Sequence, residues 1–283
     1  MNKVITIIAV VLTFLFVGCA ETATENTKEV SIENVIEKST SEHRSPSEIA
    51  YGLRSIGAQH IPGIGNDTTN MKRYAENKNR ASLNLGIYFA DFEYSLIYRS
   101  MDEAKASVEG IKLLSNELGV STELDSALVK SFDDSISEEE RIVMLDKGLQ
   151  NYRVKLNDNS SNVELLIVTG FYVEQFYQLL QIINLYPKDV DEAKRVDVMQ
   201  KLYSRVEVQD VSLGQLLMEI NKINSWSPGY KTFLGDLEKL QIAISKMKTD
   251  EEIKLLNSEE IVNEPSLVDV RLKLIKLREF VIQ

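Results

Sequence analysis

Residues 165–186 read LLIVTGFYVEQFYQLLQIINLY. This stretch decides the fold. It is apolar around most of its circumference, and it is long enough for six helical turns, so it describes a helix covered by neighbours on several sides. Glu174, Gln178 and Gln181 recur at three- and four-residue spacing and place a polar line along it, which a helix facing lipid would not carry. A second stretch of the same kind, LNLGIYFADFEYSLIY, occupies residues 83–98. The two predict buried helices over about 162–186 and 75–99.

The two segments also match each other. Gly86-Ile-Tyr88-Phe-Ala-Asp-Phe92 aligns with Gly170-Phe-Tyr172-Val-Glu-Gln-Phe176, and further on Asp102-Glu-Ala-Lys105 aligns with Asp191-Glu-Ala-Lys194. The pattern predicts a duplicated helical hairpin, each copy a buried helix followed by an amphipathic one, although helical sequences also share residues by chance. A glycine inside a helix costs up to about 1 kcal/mol, so Gly86 and Gly170 are expected where two backbones approach closely.

Helix starts recur through the rest of the chain. Ser45-Pro46-Ser47-Glu48, Ser100-Met-Asp-Glu103, Ser137-Glu-Glu-Glu140, Ser161-Asn-Val-Glu164 and Thr249-Asp-Glu-Glu252 are capping-box sequences, and Ser227-Pro228 and Ser266 are further candidate starts. Leu267, Val270, Leu274, Leu277 and Val281 form one apolar stripe, and Leu234, Leu237, Ile244 and Met247 contribute to another. There is no hairpin signal and no sustained alternation. The expected fold is all-α, a bundle of about ten helices forming one domain over 45–283, with 60–70 (HIPGIGNDTTN) as a loop.

The N-terminus has a different character. Lys3 precedes the apolar run Val4–Val17, and the run ends in LFVGCA, residues 15–20, which holds the only cysteine of the chain. The run is too short to span a bilayer and has the form of an export signal. A cysteine directly after a small residue resembles a bacterial lipoprotein signal, in which Cys19 is acylated and becomes the first residue; Phe16 stands where such signals usually carry Leu. An ordinary signal peptide, or an uncleaved anchor with a bystander cysteine, is the alternative. The expectation is a signal over 1–18 and a lipid on Cys19 holding the chain to a membrane. Residues 19–44 are polar and lack aromatics, and as a coil they would reach roughly 28 Å. With a single cysteine no intramolecular disulfide can form.

A net charge of −11 argues against nucleic acid and against electrostatic docking on anionic lipid, and only 5 Pro and 13 Gly argue against a turn-dense β fold.

The segments IGAQHIPGI, KNRASLNLGIYFADFEYSLIY, IKLLSNELGV, LLIVTGFYVEQFYQ and EAKRVDVMQKLY together resemble a family of uncharacterised all-helical lipoproteins common in Bacteroidetes, over most of residues 46–205. The resemblance implies export and a helical fold and carries over no catalytic residue. It also implies candidate O-glycosylation at Asp67-Thr68-Thr69, Asp125-Ser-Ala127 and Asp134-Ser-Ile136, triplets that helix caps explain equally well.

Chemistry-bearing patterns are few. The two histidines, His43 and His60, stand in the tether and the loop, without the Glu-x-x-His pairs of a di-metal bundle or the His-x-x-Glu of an imelysin-like helix. No nucleophile elbow, phosphate loop or zinc-protease motif occurs, so no metal, cofactor or catalytic residue is assigned. Asp133 to Glu140 fails as a calcium loop, because Glu stands where Gly is required. One constellation stands out. Asp91, Glu93 and Glu174 lie within the two most apolar segments, with Tyr88, Tyr94, Tyr98, Tyr172 and Tyr177 nearby. If Gly86 pairs with Gly170, these acids face one another, either as a working acid–base pair or simply satisfied by partners such as Arg80 or Arg99. Trp226 and Tyr230 are candidates for a contact surface or for packing. The functional expectation is a lipid-anchored protein of the cell envelope, at the outer membrane facing the periplasm or the surface. It would act as a non-enzymatic binding or scaffold module with a protein partner or small ligand; the alternative is an envelope hydrolase using carboxylates of the central helices.

Overall fold

The computed structural model describes residues 52–119, 161–223 and 226–283, together with 130, 132, 135–137 and 140. Cys19, the export signal, the tether, His43, the Ser45 start and the triplet at Asp125 lie outside the described residues. Among the described residues there is no strand. After a 3-10 turn at Thr68–Asn70 come ten bounded α-helices: α1 (Met71–Ala75), α2 (Lys78–Ile97), α3 (Met101–Glu117), α4 (Ser161–Leu185), α5 (Glu192–Glu207), α6 (Gln209–Ile220), α7 (Pro228–Ile244), α8 (Asp250–Ile253), α9 (Ser258–Val262) and α10 (Pro265–Ile282). The all-α bundle expected from the sequence is what the structure shows. Among the described residues no helix is long and apolar enough to cross a membrane.

The two central helices set the architecture. Every residue of α2 from Ala81 to Ile97 is buried, so no face of it is left to solvent. Helices α3 and α4 pack along it, and α10 closes against both α2 and α4. At the crossing of α2 and α4 the backbones touch. A Cβ built on Gly170 would lie 1.9 Å from the Leu83 carbonyl oxygen, and one built on Gly86 would lie 2.0 Å from that of Ile167. Further along, Asp91 meets Gln178 and Glu93 meets Gln175, so the two helices run in the same direction. Ile167 aligns with Leu83 as Gly170 does with Gly86, which makes the two glycine contacts reciprocal.

The amphipathic halves of the hairpins diverge. α3 lies along α2, whereas α5 touches α4 over a short stretch. Asp191 is the N-cap of α5, accepting from the Lys194 N–H at 3.2 Å, while its counterpart Asp102 sits inside the first turn of α3. The resemblance between the two hairpins is therefore confined to the central pair.

The capping sequences are used unequally. Thr249 with Glu252, and Ser137 with Glu140, form the expected boxes. Ser100 begins α3 without a side-chain bond to the helix backbone, and Glu103 instead reaches the 59–70 loop. The α10 start is one residue earlier than Ser266, with Pro265 leading the helix and Glu264 accepting from the Ser266 and Leu267 amides at 2.8 and 3.0 Å. The α10 stripe Leu267, Val270, Leu274, Leu277 and Val281 is fully buried. The last turn of α10 is tied to the front of the bundle: Asn84 Nδ2 donates to the Val281 carbonyl and Tyr74 Oη to that of Ile282, both at 2.9 Å. Trp226 and Tyr230 are half-buried packing residues, stacked at 5.8 Å with Tyr230 edge-on to Phe280.

Candidate functional site

The 59–70 loop is folded down onto α2 and α3 by side chains that hold its backbone. Tyr98 Oη donates to the Ala58 carbonyl at 3.0 Å, the Ile61 N–H donates to Tyr94 Oη at 2.7 Å, and Tyr88 Oη donates to the Asp67 carbonyl at 3.0 Å. Carboxylates do the rest. Glu103 Oε1 accepts from the Gly63 N–H at 2.9 Å and Asp91 Oδ2 from the Asn66 N–H at 2.8 Å. His60 Nε2 lies 3.0 Å from Glu103 Oε2, and its ring sits against those of Tyr94 and Tyr98 at 5.4 and 5.5 Å between centroids. Ile64 is buried in the main core and Ile61 packs against it, so apolar burial anchors the loop while these bonds fix the course of its backbone.

Beneath the loop is a cavity of about 300 Å³. Its roof is the loop from Gly63 to Thr68; its walls include Asp91 and Ser95 of α2 and Glu103 and Ser107 of α3. The lining sets carboxyl, hydroxyl and backbone polar groups among a larger share of apolar surface, and the cavity is partly open to solvent. Gly65 lies so close to Asp91 that a Cβ would come within 3.1 Å of the carboxyl carbon, so the roof approaches the acid only because glycine stands there.

Asp91 and Glu174 are buried side by side at the centre of the bundle, 3% and 0% exposed. Arg278 of α10 grips Glu174 with both arms, Nε to Oε2 at 2.6 Å and Nη2 to Oε1 at 2.8 Å. Its guanidinium also lies over the Tyr177 ring, 4.1 Å from the centroid. Asp91 receives a neutral donor instead, Gln178 Nε2 at 2.9 Å. Burial and the adjacent Glu174 carboxylate push the Asp91 acid well above the usual carboxylate range, against the pull of the Asn66 N–H and the Arg278 charge. Glu103 goes the other way. Partial burial would raise it, but the Gly63 N–H, Ser100 and His60 hold it below its ordinary value. Burial also raises Tyr88 far above a free tyrosine and Tyr94 to about 12.

The structure therefore gathers Asp91, Glu174, Tyr88 and Tyr177 in one cluster, puts Tyr94 in the cavity wall, and separates Glu93 and Tyr172 from them. Glu93, buried, is bonded by Gln175 Nε2 at 3.3 Å. Tyr172 is engaged with α6, its hydroxyl donating to the Gln209 carbonyl at 3.3 Å. The sequence offered Arg80 and Arg99 as partners of the acids; the cation that grips Glu174 is Arg278. In the sequence it directly follows Leu277 of the α10 stripe, just as Arg271 directly follows Val270, so position along the stripe does not single it out. Glu103 and His60 were read as a cap and a loop residue; their pairing crosses 43 positions and has no local signature. Among the described residues no three His, Cys, Asp or Glu side chains are grouped to hold a metal ion.

Comparison of the chain with protein-family models, with curated proteins and with solved structures finds no match. The function is therefore argued from the site itself.

Proposed function

We propose that the chain is a lipid-anchored protein of the cell envelope that acts as a non-enzymatic binding module, holding a small polar ligand in the cavity under the 59–70 loop. The observation that carries this reading is the roof. A loop fixed at four backbone N–H and carbonyl groups by Tyr94, Glu103, Asp91 and Tyr88 covers a partly open space, large enough for a small molecule, in which several polar groups converge. The Glu174 oxygens are taken by Arg278, and those of Asp91 and Glu103 already accept bonds that hold the structure together, which suits recognition by a preorganised wall. The anchor rests on the Val4–Val17 run and Cys19.

Two experiments test it. Native mass spectrometry of the protein taken from its own membranes should detect a retained small molecule, and Ala106→Phe, which fills the cavity from the α3 side, should abolish retention. An equally loaded variant would refute the site. Cys19→Ser should release the protein from the membrane fraction; retention that still needs detergent would refute the anchor.

An envelope hydrolase is the second reading, and one observation favours it. Asp91 and Glu103 line one cavity and are displaced in opposite directions, as a general acid and base would be. Glu174, held by Arg278, has no part in this version. Turnover of a glycoside or ester substrate that is lost in Glu103→Gln with the fold intact would favour it over binding alone.

A further inference from the structure

The buried cluster around Asp91 has a charge count that limits what the cavity can recognise. Two carboxyl groups, Asp91 and Glu174, are removed from water side by side, and one guanidinium answers them. The groups that act on Asp91 are Glu174, Tyr177 and Gln178 from α4, Arg278 from α10, Asn66 from the loop and Tyr88 from its own helix, while Asp67 of the loop and Glu103 of α3 line the same cavity. Among these Arg278 is the one cation, and both of its bonding edges are on Glu174. Two buried carboxylates cannot both stay ionised beside a single positive charge, so one keeps its proton. The bidentate partner keeps the charge, because guanidinium and carboxylate match geometrically. The proton stays with the other.

We propose that the Glu174–Arg278 pair sets the chemistry of the cavity wall: it takes up the positive charge of the cluster and leaves Asp91 a neutral carboxylic acid, so that the ligand meets this wall with an uncharged hydroxyl or amide group, not an ammonium. The ligand half of this inference rests on the cavity being a binding site; the role of the pair does not. Asp91 directs its proton to Glu174, and its carbonyl oxygen, bonded once within the protein, retains one lone pair that accepts from a hydroxyl or amide without drawing in a cation. Glu174 and Arg278 touch no ligand here. They are positioning residues that act through Asp91.

Isotope-edited infrared spectroscopy of the full chain at pH 7, with Asp91→Asn as reference, reads the proton directly. We expect a protonated-carboxyl band in the wild type that is missing in Asp91→Asn. In Glu174→Gln the single cation is left to Asp91, which then ionises, and the band should vanish although Asp91 is present. Arg278→Lys, which keeps the charge, should retain it. The absence of an Asp91 band in the wild type, or its persistence in Glu174→Gln, overturns the assignment. NMR titration with glucose and with glucosamine then reads the wall. The ratio of glucose to glucosamine affinity should fall about tenfold from wild type to Glu174→Gln, the change expected when one neutral acceptor becomes a charged one. An unchanged ratio overturns the ligand class. Binding of neither sugar overturns the ligand class together with the binding-module reading, while the infrared result still decides the role of the pair.

Discussion

Substituting alanine for glycine should have opposite effects at two kinds of position in this chain, and the structure says how large each is. At Gly170 the new Cβ would fall 1.9 Å from the Leu83 carbonyl oxygen and 2.7 Å from its carbon. Restoring a carbon–oxygen contact of about 3.3 Å requires α2 and α4 to separate by roughly 1.4 Å at the crossing. Neither atom is the flexible end of a side chain, so the helix axis itself must move. A gap of that size forfeits about half or more of the dispersion between the facing surfaces, and overpacking of this kind costs about 3 kcal/mol. Helix propensity opposes this by at most about 1 kcal/mol. The expected net for Gly170→Ala is a loss of about 2–3 kcal/mol, or a Tm lower by roughly 5–10 °C in a domain of this size. Gly86→Ala should behave alike, because its Cβ would meet Ile167 at 2.0 Å. Gly235, inside α7, has nothing within 4 Å of the added carbon, so Gly235→Ala keeps the propensity gain and should raise stability by about 0.5–1 kcal/mol. Denaturant unfolding followed by circular dichroism measures all three. A Gly170→Ala variant as stable as Gly235→Ala would refute the close approach and, with it, the reciprocal packing of the central pair.

Further expectations concern the polar cluster and the loop. Because folding raises the Asp91 acid, the native state holds its proton over a window in which the unfolded chain has lost it. Stability from this group is therefore full below the ordinary carboxylate range and declines as pH rises through the window, by about 1.4 kcal/mol per unit of displacement. Asp91→Asn removes the titration, so its stability relative to wild type should climb as pH rises above the ordinary carboxylate range in urea titrations; parallel curves would contradict the buried acid. Arg278→Met leaves Glu174 charged and unanswered, and should cost about 3–5 kcal/mol in the same measurement. Tyr94→Phe removes the hydroxyl that accepts from the Ile61 N–H. It should cost about 1 kcal/mol and speed hydrogen exchange at Ile61 while leaving α4 amides unchanged, since the effect is confined to the loop.

Much of the fold was legible because helices announce themselves locally. The apolar stripe of α10, the Thr249 box and the all-round apolarity of residues 83–98 and 165–186 are properties of residues three or four apart, and each appears in the structure where spacing puts it. Gly86 and Gly170 were legible too: glycine in the middle of a buried helix has few uses, and close approach is the main one. The acids were legible as a pair but not as a site. Asp91 and Glu174 were expected to face each other from the shared register of the two segments, and they do. Nothing local marks Arg278, more than a hundred positions from Glu174, as the charge that separates their roles. Nothing marks Glu103 as the holder of a loop, since Ser100-Met-Asp-Glu103 reads as a cap.

From its own sequence, then, this protein was determined to be a helical bundle with two buried helices crossing at glycine, because those features depend on periodicity and on one residue type. Which polar groups meet was decided only by the tertiary structure. The 59–70 loop carries no stripe or repeat to position it; its place is set by Ile61 and Ile64 packing on the core and by hydrogen bonds from α2 and α3 to its backbone. The charge state of the cavity wall depends on α10 arriving from the far end of the chain. Long-range electrostatics acts through distance in space, and distance along the chain does not encode it.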